Sequence, residues 1–271
     1  MNKTIFITGA SSGLGKATAK FFAAKGWNVI ATMLAPENET ELNHIPNVRL
    51  LKLDVTKDHE VADAVKASTT GGSSVDVVFN NAGYGLAGPV EASTIEQVQD
   101  VMDVNFVGYI RVIKAFTPYF RERGNGLFIN TSSIAAYVGV PLNSMYAASK
   151  WAIEGWTESV SYELNKVGIT IKTVNPGWMT GTEFFSDSHM VKAAPHRAYQ
   201  QDVDKMHAAF KSPEYLAHAS TTEKIAESVY EAATDGKNQL RYFAGDDAKE
   251  LFALRQQLGQ QAYVEEQRRK G

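Results

Sequence analysis

The sequence predicts an α/β fold in which a doubly wound, seven-stranded parallel sheet carries helices on both faces. Short apolar runs alternate with longer helical segments, and several of the runs are apolar throughout. Continuous apolar runs are typical of parallel strands, because helices cover both faces of such a sheet. The seven candidate strands are residues 4–7, 27–30, 48–51, 75–79, 127–129, 169–174 and 240–243.

The helical segments between these strands are long enough for the crossovers that parallel strands require. No repeat or linker interrupts the alternation, so we expect residues 1–271 to form a single domain. Residues 180–221 have no clear strand pattern, and long segments of this kind often cover a binding site. The main crossover candidates are residues 17–25, 61–67, 95–120 and 144–166.

The composition argues against several classes of function. A hydrophobic share of 44% and a charged share of 21% are ordinary for soluble domains, and the net charge of -3 offers no basic surface for nucleic acid or anionic lipid. The chain has no cysteine, and its histidines show no metal-binding spacing. The first apolar run is too short for a signal peptide or membrane helix, so we expect a cytoplasmic protein.

A glycine-rich turn follows the first strand. Residues 9–15 read GASSGLG and lead into a helical segment. Such a turn lets the backbone approach a pyrophosphate closely, and the following helix directs its N-terminal amides at the phosphates. The alternative is a tight strand-to-helix connection without a ligand. The turn residues expected to contact a dinucleotide are Gly9, Ser11, Ser12, Gly13, Leu14 and Gly15.

Two tyrosine–lysine pairs share a spacing of four residues. Tyr146 and Lys150 lie on one face of a predicted helix, and so do Tyr162 and Lys166. The two tyrosines lie roughly 160° apart around that helix, so at most one faces a site. Ser133 follows the fifth strand and lies thirteen residues before Tyr146. Taken singly, Ser133 could be a turn residue and Lys150 a solvated charge.

These features occur together and in order, and with them the chain resembles the short-chain dehydrogenase/reductase family. Residues 80–83 (NNAG) close the fourth strand and are similar to a family element, as is Asn105 in the central helix. The resemblance implies a Rossmann-like domain and an NAD(P)-dependent oxidoreductase that interconverts a carbonyl and an alcohol by hydride transfer. Residues 29–33 and 241–245 are similar to those of steroid- and retinol-dehydrogenase-like ketoreductases.

The resemblance also implies a role for each catalytic candidate. Tyr146 is the general acid in reduction and the base in oxidation, with its pKa lowered by Lys150 together with the charge of the oxidised nicotinamide. Lys150 also bonds the nicotinamide ribose, Ser133 polarises the substrate carbonyl, and Asn105 holds a water in a proton relay; Asn105 could instead bond only locally. Further cofactor contacts are implied for Asp54, Val55, Asn81, Ala82, Gly83, Pro176, Gly177, Met179 and Thr182, with Thr180 competing for the role of Thr182.

The choice between NAD and NADP is open. NAD-preferring relatives carry an Asp at the end of the second strand, and NADP-preferring ones carry an Arg just beyond it. Met33 and Leu34 occupy these positions, so neither residue is present. No acidic residue repels NADP, and Ser12 and Lys16 can assist its binding, so NADP(H) is weakly favoured and NAD(H) tolerated. Leu34 could also be an engineered relaxation of this preference.

The expected substrate is an apolar ketone or aldehyde, or the matching secondary alcohol. No Arg or Lys is obviously placed to hold a carboxylate, which disfavours acidic substrates. About half of the candidate walls could instead be ordinary core. The candidate walls are Tyr84, Leu86, Val140, Leu142, Met145, Trp178, Phe184, Phe185 and Met190.

Two other functions and the state of association remain open. A dinucleotide-sensing regulator would keep the glycine turn without catalysis, although Ser133, Tyr146 and Lys150 argue against it. An epimerase or dehydratase of the same fold would need further acid/base residues. Relatives pair through the helices of residues 95–120 and 144–166, so we expect a homodimer or homotetramer. Trp151 and Trp156 suit burial in such an interface or on the chain's own sheet.

Overall fold

The computed structural model of the protein describes residues 2–72, 74–182, 190–191, 196–210 and 212–270. Its strands are β1 (Thr4–Ile7), β2 (Asn28–Met33), β3 (Val48–Lys52), β4 (Val77–Asn80), β5 (Gly126–Thr131), β6 (Ile169–Pro176), β7 (Met179–Thr180), β8 (Ser220–Thr221) and β9 (Arg241–Ala244). Seven of them form one sheet in the order β3-β2-β1-β4-β5-β6-β9, and every pairing is parallel. The predicted fold class is confirmed, and all seven predicted strands are present.

Helices cover both faces of this sheet. The α-helices are α1 (Gly13–Ala24), α2 (Asp58–Thr69), α3 (Ile95–Met102), α4 (Gly108–Arg123), α5 (Ser144–Leu164), α6 (Arg197–Phe210), α7 (Pro213–His218), α8 (Thr222–Thr234), α9 (Asp246–Leu258) and α10 (Gln260–Lys270). Helices α1 and α8 pack on one face, and α2, α4 and α5 pack on the other. The strands contribute alternate side chains to the two cores, as period-two geometry requires.

The predicted helix of residues 95–120 is interrupted. Thr94 caps α3 through a capping box with Gln97, and residues 103–107 then form a π-helical turn before α4 begins. Such turns are rare and are frequent at functional sites. Gly124 directly follows α4 and caps its C-terminus. Its φ of +68° is the left-handed conformation that favours glycine at a helix end.

The region after β6 carries more secondary structure than its sequence pattern indicates. Strands β7 and β8 form a separate two-stranded pair, and α6 and α7 lie between them in the chain. Helices α9 and α10 pack against residues 134–140 through a small core that contains Ile134, Val138 and Tyr263. Within the described residues, we find no helix long and apolar enough to span a bilayer.

The strand order locates the site. Chain direction across the sheet reverses between β1 and β4, where β1 leads to β2 on one side and β4 leads to β5 on the other. Ligands of open α/β sheets bind at such a switch point, beyond the carboxyl ends of the strands. The glycine turn lies at this position, because it directly follows β1.

Candidate active site

A cavity of about 500 Å³ opens at the carboxyl ends of the strands. It begins at the glycine turn and reaches the N-terminal half of α5. Nearly all of the predicted cofactor and catalytic residues line it, with Gly15 and Asn105 as the exceptions. The predicted residues in its walls are Gly9, Ser11, Ser12, Gly13, Leu14, Met33, Leu34, Asp54, Val55, Asn81, Ala82, Gly83, Ser133, Tyr146, Lys150, Pro176, Gly177, Met179 and Thr182.

The glycine turn requires glycine because the backbone is crowded there. Gly9 has a φ of +66°, and a Cβ at this position would lie 2.7 Å from the Ala82 Cα. A Cβ on Gly15 would lie 2.2 Å from the Gly9 carbonyl oxygen. Gly15 therefore packs α1 against the turn behind the cavity rather than lining it. A side chain at either position would displace the turn.

Hydrogen bonds tie the turn to the end of β4. The Thr8 hydroxyl accepts from the Asn81 and Ala82 amides at 2.9 and 3.0 Å. The Asn81 Nδ2 donates to the Thr8 and Gly9 carbonyls at 3.2 and 3.0 Å. The two loops at the switch point therefore form one rigid unit, and this arrangement fits the phosphates and nicotinamide end of a dinucleotide.

Two buried polar atoms in the same cavity have no hydrogen-bond partner among the described residues. They are the Ser132 hydroxyl oxygen and the Asn143 Oδ1. Buried polar atoms are normally paired, so groups of this kind in a cavity indicate that a polar ligand completes them. The cavity therefore combines a crowded glycine cradle with unfilled hydrogen-bonding capacity, and both features fit a bound nicotinamide dinucleotide.

The adenosine end of the cavity is formed by the ends of β2 and β3. Asp54 is held by Thr56, whose amide and hydroxyl donate to the Asp54 Oδ1 at 2.9 and 2.7 Å. Burial works against ionisation of Asp54, but these hydrogen bonds prevail and its pKa is lowered. Met33 is buried, whereas the Leu34 side chain is 66% exposed at the rim.

Lys16 is engaged by carboxylates. Its Nζ lies 3.0 Å from the Glu39 Oε2 and 3.0 Å from the Glu41 Oε1, and Lys20 also pairs with Glu41. Lys16 was expected to assist a 2′-phosphate, and in this arrangement it would have to leave both ion pairs to do so. It is absent from the walls of the cavity.

The three catalytic candidates at the other end of the cavity lie together. Tyr146 and Lys150 lie one turn apart on α5 and are 7% and 2% exposed, and Ser133 caps the short 3₁₀ turn that follows β5. Ser133 hydrogen-bonds the Tyr146 hydroxyl. The Lys150 Nζ donates to the Thr131 carbonyl at 2.8 Å. Tyr162, in contrast, is 69% exposed on the same helix.

Burial is the main influence on the pKa values of Tyr146 and Lys150. It raises the pKa of Tyr146 to about 12, although the hydrogen bond with Ser133 acts in the opposite direction. It lowers the pKa of Lys150 to about 7, although the charge of Glu154 acts in the opposite direction. The expectation that Lys150 and the oxidised nicotinamide together lower the Tyr146 pKa stays a prediction; in the chain by itself, loss of hydration outweighs the hydrogen bond with Ser133.

Asn105 lies behind the cavity wall, in the π-helical turn. Its Oδ1 accepts from the Tyr84 amide at 3.0 Å, and its Nδ2 donates to the Tyr84 carbonyl at 2.9 Å and the Ser149 hydroxyl at 3.1 Å. The side chain is fully buried. The observed contacts hold the segment after β4 against α5, and the water-relay role of Asn105 stays a prediction.

The predicted substrate walls divide into five groups. Tyr84, Val140 and Trp178 line the cavity. Leu142, with a φ of +60°, lines a second cavity of about 800 Å³ that shares Val140 and Trp178 with the first. The other members lie in a small core (Leu86 and Met145), pair with Ala87 outside the cavity walls (Met190), or lie outside the described residues (Phe184 and Phe185).

Some residues in the cavity walls were not predicted. Thr131 and Ser132 end β5 directly before Ser133, and their place at the carboxyl end of a strand is a usable signal. Asn143 precedes α5 and has no comparable sequence signal. Between the two threonines that competed after β6, Thr182 lines the cavity and Thr180 does not. The other unpredicted residues in the walls are Leu53, Thr56, Val104, Ile134 and Ala135.

Comparisons with known proteins agree with this geometry. The family described as short chain dehydrogenase matches residues 3–191. An uncharacterized oxidoreductase of Schizosaccharomyces pombe is 38% identical over 256 residues, covering 94% of this chain and 86% of that protein. The 17-beta-hydroxysteroid dehydrogenase type 1 of Homo sapiens is 32% identical over 270 residues, covering 93% and 80%.

A solved structure extends the agreement to the whole fold. A short-chain dehydrogenase from Streptomyces avermitilis superposes with a TM-score of 0.83 at 27% identity, covering 95% of this chain and 93% of that one. The family match, the relatives and the fold point in one direction: the chain belongs to the short-chain dehydrogenase family and is a nicotinamide-dependent oxidoreductase.

Proposed function

We propose that the protein is a ketoreductase or alcohol dehydrogenase that interconverts an apolar ketone or aldehyde and its alcohol, with Tyr146 as the general acid and base. One observation carries the proposal. A buried tyrosine hydroxyl, hydrogen-bonded to Ser133 and one helical turn from Lys150, lies at the end of the cavity that begins at the glycine turn.

Each residue has a distinct task in the proposed reaction. A bound nicotinamide supplies the hydride, and the protein manages the proton. Burial keeps the Tyr146 phenol protonated at neutral pH, so it donates a proton to the carbonyl oxygen in reduction and accepts it in oxidation. The Ser133 hydroxyl holds the same oxygen, and Lys150 holds the nicotinamide ribose and stabilises the phenolate that forms.

The proposed substrate class rests on the cavity walls. Tyr84, Val140 and Trp178 present mostly apolar surface next to Tyr146. The second cavity continues beyond Val140 and Trp178, so there is room for a substrate longer than the reacting carbonyl group. A relative named as a hydroxysteroid dehydrogenase supports a bulky apolar substrate.

We propose that NADP(H) is weakly preferred and NAD(H) tolerated. Met33 and Leu34 place no carboxylate at the adenosine end of β2, so the 2′-phosphate meets no repulsion there. The attraction is also weak, because Lys16 is held by Glu39 and Glu41.

We also propose that the protein forms a homodimer or homotetramer through α4 and α5. Trp151 on α5 is 47% exposed. Sedimentation velocity measures the oligomeric state directly.

The mechanism is tested with Tyr146→Phe. Removal of the phenol hydroxyl should lower kcat for ketone reduction by about 10²–10⁴-fold, because general acid catalysis contributes on that order. Cofactor binding, followed by fluorescence, should change little. Tyr162→Phe is the matched control, since Tyr162 lies on the same helix and also precedes a lysine by four residues but is exposed. The kcat of this variant should equal that of the wild type.

The same assay separates the enzyme from a sensor. If the wild type binds NADPH or NADH but reduces no member of a panel of apolar ketones, the regulatory alternative is favoured. If Tyr146→Phe and Tyr162→Phe turn over equally well, an enzyme remains but the assignment of Tyr146 is wrong.

A further inference from the structure

One buried carboxylate close to the site has no part in the proposed mechanism. Glu154 lies on α5 and is 6% exposed, and glutamate is rarely buried to this degree unless it is paired. Its Oε2 accepts from the Tyr137 hydroxyl at 2.6 Å and from the Arg241 Nε at 2.9 Å. Its Oε1 is buried without a hydrogen-bond partner among the described residues.

Glu154 follows Lys150 by four residues on the same helix, so the two side chains share one helical face. Lys150 is buried as well, and a buried ammonium needs a compensating negative charge to stay protonated. The one hydrogen bond of its Nζ among the described residues goes to the Thr131 carbonyl, a neutral acceptor. Glu154 is therefore placed to supply the charge that Lys150 lacks.

We propose that Glu154 is a positioning residue that keeps Lys150 protonated, and that Tyr137 and Arg241 hold its carboxylate in place for this purpose. The inference rests on the proposed function, in which the Lys150 ammonium holds the nicotinamide ribose and stabilises the phenolate of Tyr146. Glu154 acts through Lys150 and need not touch substrate or cofactor.

The groups around Lys150 and Glu154 determine the direction in which the Lys150 pKa changes. Tyr146 and Glu154 on α5 and Tyr109 on α4 face Lys150, and burial raises the pKa of both tyrosines so that they stay neutral. Burial lowers the Lys150 pKa to about 7, and among the described residues the charge of Glu154 raises it.

On the far side of Glu154, Arg241 also pairs with Glu158, and burial raises the pKa of Tyr137 so that its phenol stays neutral. Arg241 thus pairs with both carboxylates, and of the two it is Glu154 that lies four residues from Lys150 on α5. Loss of the Glu154 charge therefore lowers the Lys150 pKa, and the protonated form is then lost at lower pH.

The test compares Glu154→Gln with Glu158→Gln. Both changes remove a carboxylate that pairs with Arg241, but Glu158 is exposed and lies one turn further from Lys150, so it is the matched control. In Glu154→Gln we expect the high-pH decline of kcat to move to lower pH by about 1 unit or more, the size of effect of a close opposite charge. Glu158→Gln should keep the profile of the wild type.

A second variant guards against a purely structural effect. Glu154→Asp keeps the charge while shortening the side chain, so the pH profile should return toward that of the wild type. If Glu154→Gln keeps the wild-type profile, or if it and Glu158→Gln shift equally, the proposal is overturned. A uniform loss of kcat at every pH, not restored in Glu154→Asp, also overturns it, since it would reflect structure alone.

The pH dependence of NADPH and NADH binding provides a readout that needs no turnover. Because Lys150 contacts the ribose in its protonated form, the rise of the dissociation constant with pH should begin at lower pH in Glu154→Gln than in Glu158→Gln. If the wild type reduces no ketone, the proposed function fails, yet this binding shift still decides the role of Glu154.

Discussion

Tyr146 and Tyr162 show how burial separates residues that spacing does not. Both lie on α5 and precede a lysine by four residues, although Lys166 itself lies in the 3₁₀ turn after the helix; Tyr146 is 7% exposed at a cavity and Tyr162 is 69% exposed. The choice of Tyr146 from sequence depended on Ser133, which lies after β5. Asn143 could not be found in this way, because its importance comes from a buried, unpartnered oxygen that no sequence pattern indicates.

Leu34 is the residue at which cofactor choice can be changed. We expect Leu34→Arg to raise the preference for NADPH over NADH, in kcat/KM, by about tenfold or more, because a guanidinium pairs bidentately with a phosphate. Leu34 is exposed at the cavity rim, so the change should not disturb folding. Steady-state kinetics with both cofactors measure the ratio.

Leu34→Met is the control for this prediction, since it keeps size and lacks charge. Its cofactor ratio should stay within about twofold of the wild type, while the Leu34→Arg ratio should fall as salt rises, because salt screens exposed charges. An unchanged ratio in Leu34→Arg would mean that the adenosine ribose binds away from the end of β2.

At the scale of elements, the sequence predicted the strands well and the helices less completely. Short apolar runs that alternate with helical segments strongly indicate parallel strands, and every predicted strand is present. The interruption at residues 103–107 was missed, because a π-helical turn depends on how Asn105 is held by Tyr84 and Ser149 rather than on local preference. Helices α6 and α7 were also missed, because they lie in residues 180–221, which the absence of a strand pattern marked as a long connecting segment.

The crowded junction of β1 and α1 leads to a prediction about both the stability of the protein and its binding of the cofactor. Gly15→Ala should lower the free energy of unfolding by about 2 kcal/mol or more and weaken cofactor binding. The alanine Cβ would overlap the Gly9 carbonyl oxygen and the side-chain Nδ2 of Asn81. Urea unfolding and nucleotide-induced fluorescence change measure the two effects.

Gly155→Ala is the control for the junction. Gly155 lies in α5, and apart from its two chain neighbours and the adjoining backbone of the helix, no atom of the described residues lies within 4 Å of the point that an alanine Cβ would occupy. Alanine should therefore raise the free energy of unfolding by about 0.5–1 kcal/mol through helix propensity. Wild-type binding and stability in Gly15→Ala would contradict the crowding of the glycine turn.

At the scale of the whole molecule, a buried charge cluster joins the last strand of the sheet to its neighbour. The Lys172 Nζ on β6 donates to the Asp235 Oδ1 at 2.9 Å and the Tyr242 hydroxyl at 3.1 Å, and the Tyr242 hydroxyl donates to the Asp235 Oδ2 at 2.6 Å. Burial opposes ionisation of Asp235, but the hydrogen bonds from Tyr242 and Lys172 prevail and lower its pKa to about 2.

This cluster predicts how stability depends on pH. The pKa of Asp235 is lower in the folded chain than in the unfolded chain, so its contribution is complete above about pH 4 and is lost as pH falls toward about 2. Asp235→Asn should lower the free energy of unfolding by about 3 kcal/mol at pH 7, since Lys172 is left buried and unpaired. The deficit should shrink near pH 3.

Asp246→Asn is the comparison for the charge cluster. Asp246 pairs with Lys224 at an exposed position, and such pairs contribute about 0–1 kcal/mol. Urea unfolding followed by circular dichroism at pH 7, 4 and 3 measures the free energy of unfolding of the wild type, Asp235→Asn and Asp246→Asn. Equal deficits in the two variants, or a deficit in Asp235→Asn that does not depend on pH, would contradict the assignment.

The packing of α9 and α10 against residues 134–140 has a consequence for the order in which the protein matures. Ile134 lines the cavity beside Ser133, and its support comes from Ala248 in α9 and Tyr263 in α10. Synthesis proceeds from the N-terminus, so the sheet, the glycine turn and Tyr146 leave the ribosome before that support exists. A nascent chain can thus assemble its cofactor cradle early, while the wall beside its serine is completed only after Tyr263 has been synthesised.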